Sequence, residues 1–360
     1  MSAVLFRADA SANMGIGHVM RCLTLANALS EYGVECYFFC KKLNSSIFKL
    51  ISKQHHVIEI DPEYGFKPKN QYESWLSSTQ EWDAVQCIEK SIVKKYDYIF
   101  VDHYALDYEW ESRVSIITDN IVVLDDLANR KHMCSLLIDS GFTNTLESYK
   151  NITPATSKIL LGSDYALLRP EFSMVRDSVI REFKRPKNIL LNFGGTDTGR
   201  FSIIALEALQ EINYEFNINI IIASACDWLE ELKNYIKEYR NVRLHIDAIS
   251  VANSMCESDF SIASIGGSAW ERCAMGLPSI GVVAAENQQG IASTLQDSGV
   301  LFLANKRNLK SKIIEVLSSN DIAKTSKKMS DLAFNLCDGL GLFRVLSALS
   351  QEFIAIELKE

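Results

Sequence analysis

The chain has 360 residues, 48% of them hydrophobic, and a formal net charge of −8 at pH 7. That length suits two domains and exceeds one ordinary core. The acidic balance argues against nucleic acid or an anionic membrane surface as a partner, and no apolar stretch reads as long enough for a bilayer span.

Apolar runs alternate with helical patterns almost to the end. In the first half, strands are predicted at Val4–Ala8, Glu35–Phe39, Val57–Ile60, Tyr98–Val101, Ile121–Leu124 and Leu136–Ile138. Helical spacing lies between them at His18–Tyr32, Ser45–Lys53, Ser74–Lys95 and Tyr108–Thr118. The second half repeats the alternation with strands at Asn188–Phe193, Ile218–Ser224, Val242–Ile246, Phe260–Ala263, Ser279–Val283 and Val300–Leu303. This order predicts α/β domains with parallel sheets, and the unbroken Ile/Val/Leu runs predict strands covered on both faces. The charged segment Arg176–Asn188, carrying Pro186, is expected to link two Rossmann-like domains, residues 1–175 and 187–338. An amphipathic helix over 339–360 is expected to return to the first domain, leaving an interdomain cleft as the default site. Nine cysteines, an odd number without a Cys-x-x-Cys pair, point to neither a disulfide framework nor a zinc site. With no signal-type segment before the first strand, a cytoplasmic protein with reduced thiols is expected.

Ligands of open parallel sheets bind past the carboxyl ends of strands, and four stretches lie there. The first is Gly15-Ile-Gly17-His18, where glycines make the turn into a helix and His18 sits in its first turn. A helix start with open backbone suits an anion. A dinucleotide fingerprint is disfavoured, because Met20 holds the place of its third glycine and the second strand ends in basic Lys41-Lys42 rather than an acid. The bland alternative is a tight turn followed by an ordinary first-turn histidine. The second stretch is Asp102-His103-Tyr104 and the third Gly194-Gly195-Thr196-Asp197. The fourth runs from Ala263 to Gln288, with Gly266-Gly267-Ser268 between a strand and the helix Ala269–Met275. Ser268 and Glu271 have the spacing of a capping box. Alternatively the glycines cradle a diphosphate at the helix start and Glu271 accepts from ribose hydroxyls. Asn287 and Gln288 bring amides, both donors and acceptors, that suit a sugar.

Other polar residues point less clearly. Asp125-Asp126 is an adjacent pair, not an Asp-x-Asp metal motif, and reads as a loop cap or a helper without metal. His55-His56 reads as a solvated loop, while His132 and His245 have no partner legible in the sequence. Tyr72, Trp75 and Trp82 read as helix packing, with a cleft wall as the other use.

In order, Arg7-Ala-Asp9, Gly15-Ile-Gly-His18-Val-Met-Arg21-Cys-Leu, Val101-Asp-His-Tyr104, Leu124-Asp-Asp126, Gly162-x-Asp-Tyr165-Ala-Leu-Leu-Arg169-Pro, Phe193-Gly-Gly-Thr-Asp197, Gly266-Gly-Ser-Ala-Trp-Glu271 and Ala285-Glu-Asn-Gln288 span nearly the whole chain. Together they resemble the UDP-sugar hydrolases of pseudaminic acid biosynthesis, which act on UDP-2,4-diacetamido-2,4,6-trideoxy-β-L-altropyranose. The resemblance implies a two-domain GT-B fold and inverting attack of water at the anomeric carbon, releasing UDP without a metal or cofactor. By position it makes His18 the catalytic histidine and sets Tyr104 and Asn287 beside the sugar and water. It further implies that Gly15, Gly17, Arg21, Asp102, Gly194, Gly195, Gly266, Gly267, Ser268, Glu271 and Gln288 line the substrate. A neutral imidazole at a helix start can take a proton from attacking water. Expected partners are the UDP-sugar and water, with the protein a monomer or weak homo-oligomer. Two other classes stay open. A GT-B glycosyltransferase needs an acceptor, and a non-catalytic nucleotide-sugar binder has no use for His18.

Overall fold

The apolar runs read as strands all form strands, and every pairing between them is parallel. The computed structural model describes residues 2–11, 14–41, 45–284 and 288–352. A seven-stranded sheet contains β1 (Ala3–Ala8), β2 (Glu35–Lys41), β3 (His56–Ile60), β4 (Tyr98–Asp102), β5 (Ile121–Leu124), β6 (Leu136–Asp139) and β7 (Lys158–Leu161), in the order β3-β2-β1-β4-β5-β6-β7. A six-stranded sheet contains β8 (Asn188–Asn192), β9 (Asn217–Ile222), β10 (Val242–Ile246), β11 (Phe260–Ser264), β12 (Ser279–Val283) and β13 (Phe302–Asn305), in the order β10-β9-β8-β11-β12-β13. β7 was not among the predicted strands. Its four residues, Lys-Ile-Leu-Leu, are too short a run to stand out from the loop around them.

The chain divides into two compact units, Met1–Leu167 with Leu340–Glu360, and Leu168–Gly339. The crossing at Leu167/Leu168 precedes the charged segment Arg176–Asn188. That segment is held to the second unit, where Arg176 donates to the carbonyls of Cys337 (2.9 Å) and Phe334 (2.6 Å), and Arg181 to that of Met255 (2.8 Å).

In the first unit the two faces of the sheet feed two cores. Val4, Phe6 and Ala8 of β1 pack with Phe38, Phe100 and the helix Gly17–Glu31. Ala3 and Leu5 pack on the other face with Phe39, Ile99 and Trp110. Phe6 stacks between Phe38 and Phe100 at 4.9 and 4.7 Å between ring centres. Helices cover both faces, so β1, β4, β5 and β6 are buried along their whole length rather than alternating. Leu342, Val345, Leu346 and Leu349 of the helix Gly341–Glu352 close the first of these cores.

The structure revises or extends the sequence reading at four places. Ser74–Lys95 is two helices, Gln71–Leu76 and Gln80–Glu89, because Ser77 adopts a left-handed conformation (φ 54°) and Thr79 caps the second by accepting from the Trp82 amide. His55 is buried rather than solvated, its Nε2 donating to Asn27 Oδ1 at 2.7 Å. His132 has a partner, Glu111, at 2.7 Å, and His245 has Asn219 at 3.0 Å. Finally, Ile322–Ser350 is apolar enough in composition for a membrane span. It is nonetheless two helices of 15 and 12 residues, Ile322–Leu336 and Gly341–Glu352. Gly339, at φ +80°, turns the chain between them. Neither reaches the ~20 residues a span requires.

Candidate active site

Each sheet reverses its winding once, between β1 and β4 in the first unit and between β8 and β11 in the second. Crevices at the carboxyl ends of strands flanking such a reversal are where open α/β sheets hold ligands. The four singled-out stretches follow β1, β4, β8 and, for the Gly266 stretch, β11.

In the first unit, Gly15 lies at φ +82°, a conformation glycine adopts without strain, and Gly17 opens the helix Gly17–Glu31. Among the described residues, no side chain caps that helix start. His18, one residue in, directs Nδ1 onto Asp102 Oδ1 at 2.5 Å. Asp102 ends β4, whose partner Ala8 ends β1, so strand pairing sets the carboxylate beside the helix start. Arg21, one turn on from His18, grips the same carboxylate through Nε (2.5 Å to Oδ2) and Nη2 (2.6 Å to Oδ1).

Asp102 is fully buried, and burial alone would raise its carboxyl. The Arg21 guanidinium and His18 instead hold it well below the usual range. Asp102 is therefore a carboxylate, an acceptor only, and the proton between it and His18 belongs to Nδ1. The sequence reading set Asp102 and Arg21 among the ligand-binding residues. The geometry corrects this for Asp102: both its oxygens are occupied inside the protein, and it orients His18. Arg21, about a quarter exposed, neutralises Asp102 and also lies 3.8 Å from Asp126.

Tyr104 packs edge-on against the His18 ring, 4.8 Å between centres and 86° between planes. Burial first, then the charge of Asp126, push its phenol well above the ordinary value, so the hydroxyl stays protonated and able to donate. Behind it, Arg7 is buried with Asp83 in a two-bonded pair (2.9 and 2.8 Å) and bonds Asp9 at 2.8 Å. His103 stays neutral there, pushed down to about 3 by burial, while its Nδ1 accepts from the Ala105 amide. Asp125 caps a loop, as expected for one of its two readings: it accepts from the Ala128 amide at 2.9 Å and pairs with Arg130 at 2.7 Å. Among the described residues, no group of three His, Cys, Asp or Glu side chains is arranged to hold a metal ion.

In the second unit, Gly194 lies at φ +83° after β8, and the Gly195 carbonyl accepts from the Ala223 amide at 2.9 Å. Asp197 turns back to accept from the Phe201 and Ser202 amides, both at 2.9 Å, and so caps the helix Phe201–Glu211.

The capping-box reading of Ser268 and Glu271 is overturned. The helix Gly267–Ala274 starts before Ser268, Gly266 holds the cap position, and no side chain among the described residues caps it. Ser268 instead accepts from Arg272 Nη1 at 3.1 Å. Arg272 is buried, its guanidinium pushed down to about 10 by burial, and it donates to the Ser264 carbonyl as well. Among the described residues, nothing lies within 4 Å of where a Gly267 Cβ would stand. Gln288 comes to the same place, with Nε2 3.9 Å from where a Gly266 Cβ would stand and Oε1 accepting from the Ala284 amide at 2.9 Å.

Glu271 is largely covered; burial raises its carboxyl, opposed by Arg169 and Arg272. Arg169 lies 3.5 Å from Glu271 and 2.9 Å from Glu171, which accepts from Ser250 Oγ at 2.6 Å. Arg169 and Arg272 were not among the candidate site residues. Arg169 does stand in the Tyr165-Ala-Leu-Leu-Arg169-Pro motif, the one signal that marks it. Asn287 lies outside the described residues.

No known family model matches the chain. It is 26% identical over 297 residues to the UDP-2,4-diacetamido-2,4,6-trideoxy-beta-L-altropyranose hydrolase of Campylobacter jejuni, covering 82% of this chain and 97% of that protein. It is 25% identical over 277 residues to an uncharacterized protein of Methanocaldococcus jannaschii, covering 75% of this chain but spanning only 53% of that relative's length. Among solved structures, MurG of Acinetobacter baumannii superposes with a TM-score of 0.64 at 14% identity, covering 98% of this chain and 100% of MurG. The calicheamicin glycosyltransferase CalG4 gives 0.61 at 12%, covering 98% and 99%. The fold is GT-B, two Rossmann-like parallel-sheet units, and over four-fifths of its length the sequence is similar to a UDP-sugar hydrolase.

Proposed function

We propose that the protein hydrolyses a UDP-diacetamido-trideoxyhexose, UDP-2,4-diacetamido-2,4,6-trideoxy-β-L-altropyranose being the first substrate to test, to free sugar and UDP. The observation that carries this reading is His18, whose Nδ1–H is committed to a buried carboxylate and whose lone pair is therefore on Nε2. That is the arrangement of a general base held in one tautomer. The similarity to the Campylobacter hydrolase supports the substrate class.

In this reading Nε2 takes a proton from water as its oxygen bonds to the anomeric carbon. The bond from that carbon to the diphosphate oxygen breaks on the opposite face, and UDP leaves with the electron pair. Configuration inverts. The imidazolium formed is stabilised through Nδ1–H by Asp102. Tyr104, protonated and in contact with the His18 ring, is assigned to the sugar and water. The second unit is assigned to UDP. The uncapped start of Gly267–Ala274 meets the diphosphate with backbone N–H groups, which favour the charge that grows there. Glu271 is assigned to the ribose.

The test is UDP release from a panel of UDP-diacetamido-trideoxyhexoses with no acceptor present. Turnover is expected, and it is expected to survive excess EDTA. Loss on chelation with recovery in magnesium or manganese overturns the metal-free mechanism and turns attention to Asp125 and Asp126. UDP release only after an acceptor is added makes the protein a glycosyltransferase, and binding without release makes it a nucleotide-sugar binder.

Glu271 can be tested separately by calorimetric titration with UDP. A hydrogen bond to a charged group contributes about 1.5–3 kcal/mol, so Glu271→Ala is expected to weaken UDP about tenfold or more while leaving the thermal transition in place. Unchanged affinity would take the residue off the ribose and leave it as the partner of Arg169.

A further inference from the structure

We propose that Tyr72 and Trp75 form an apolar wall of the sugar subsite beside His18, selecting sugars that carry a methyl group at C6 over their hydroxylated counterparts. This rests on the hydrolase reading above and deepens it. Both residues lie on the short helix Gln71–Leu76, which is fixed at each end. Asn70 Oδ1 accepts from the Glu73 amide at 2.9 Å, and the helix stops at left-handed Ser77. Leu76, 1% exposed, anchors it in the core under β4 and β5.

Spacing of three puts Tyr72 and Trp75 side by side on one face. Their rings meet at 5.2 Å, and both turn onto Tyr104, Tyr72 edge-on at 5.3 Å and Trp75 at 6.1 Å. Tyr104 in turn touches the His18 ring. The aromatic surface is thus continuous with the base. Tyr104 is almost wholly covered, whereas Tyr72 and Trp75 each keep part of their surface open to solvent. The polar side of the same place is supplied by Arg130, 5.9 Å from the Tyr104 ring centre, and by Asp126 near Arg21.

Two half-open rings against a buried base are too small a surface for a macromolecule and of the right size for a sugar face. A 2,4-diacetamido-2,4,6-trideoxy sugar offers three methyl groups, two on its amides and one at C6. Packing a methyl on such rings is worth roughly 10–200-fold, and an apolar pocket rejects an added hydroxyl by up to about 10².

The experiment compares kcat and KM for the trideoxy UDP-sugar and for its 6-hydroxy counterpart. The proteins are the wild type, Tyr72→Ala, Trp75→Ala and the conservative Trp75→Phe. The wild type is expected to prefer the trideoxy sugar about tenfold or more. In the two alanine variants that preference collapses toward one, through a KM about tenfold higher for the trideoxy sugar, while the inhibition constant for UDP is unchanged. Trp75→Phe restores most of the preference. Equal losses for both sugars, or a fall in kcat with KM unchanged, overturn the wall and leave the two rings as supports of Tyr104. If the wild type releases UDP from neither sugar, the hydrolase reading falls by itself. The wall is then judged from calorimetric affinities. A wild-type preference lost in Trp75→Ala supports it, and no preference in the wild type overturns it.

Discussion

His18→Asn is expected to keep its affinity for the UDP-sugar and to lose turnover by roughly 10²-fold or more. The scale is that of removing a positioned general base, about 10²–10⁴-fold. Binding survives in this reading because UDP is assigned to the second unit, whereas His18 belongs to the first. The amide of asparagine can still donate to Asp102 from a similar position, but it has no basic lone pair to take a proton from water. Reaction in water labelled with heavy oxygen checks the bond that breaks: the label is expected on the released sugar and none on UDP. Label on the phosphate would mean attack at phosphorus and a different reaction. Near-normal turnover in the variant would reduce His18 to a first-turn helix residue.

What was legible in the sequence, and what was not, divides along physical lines. Strands covered on both faces are largely unbroken apolar runs, so β1, β5 and β12 could be read almost to the residue. Their order fixed the loops after β1, β4, β8 and β11 as the places for chemistry, because a parallel sheet brings all its carboxyl ends to one edge. Side-chain partnerships across that edge were hidden. Asp102 is 84 residues from His18, and nothing in local spacing tells a ligand-facing carboxylate from one committed to a histidine. That distinction needs strand register, with Ala8 opposite Asp102.

The same limit explains Ser268 and Glu271. Their spacing satisfies a capping box, but the helix begins at Gly267, and the buried Arg272 claims the Ser268 hydroxyl. Local propensity gave the motif two readings, and packing removed one of them, the capping box. The break at Ser77 was hidden for another reason. Serine has no strong signature in the left-handed region, so the helical pattern ran on through it and concealed that Tyr72 and Trp75 sit on a helix of their own.

Asp102→Asn is the most demanding test of the base as the geometry presents it. The substitution keeps shape and volume, but a carboxylate that only accepts becomes an amide that can also donate. If its nitrogen faces the imidazole, Nδ1 must accept and the ring proton moves to Nε2, the atom assigned to the attacking water. Misplacing the tautomer in this way costs on the order of 10⁴-fold where an orienting carboxylate has been neutralised in another hydrolase, so a loss of roughly 10²–10⁴ in kcat is expected, with KM little changed. A second consequence follows from Arg21, which loses its buried counter-charge. Removing one partner of a buried pair costs about 3–5 kcal/mol, so the variant should also unfold at lower denaturant.

The pH dependence separates the two effects. Arg21 and His18 hold the native carboxyl of Asp102 below its ordinary value of about 3.9, so its contribution to stability is fully present above that pH and is lost as acid protonates it. The wild type should therefore lose stability on acidification below about pH 4, and the asparagine variant should lack that component. Arg21→Met combined with Asp102→Asn removes the orphaned charge and should recover stability without recovering rate. Recovery of rate in the double variant would show that Asp102 serves the fold and not the tautomer of His18.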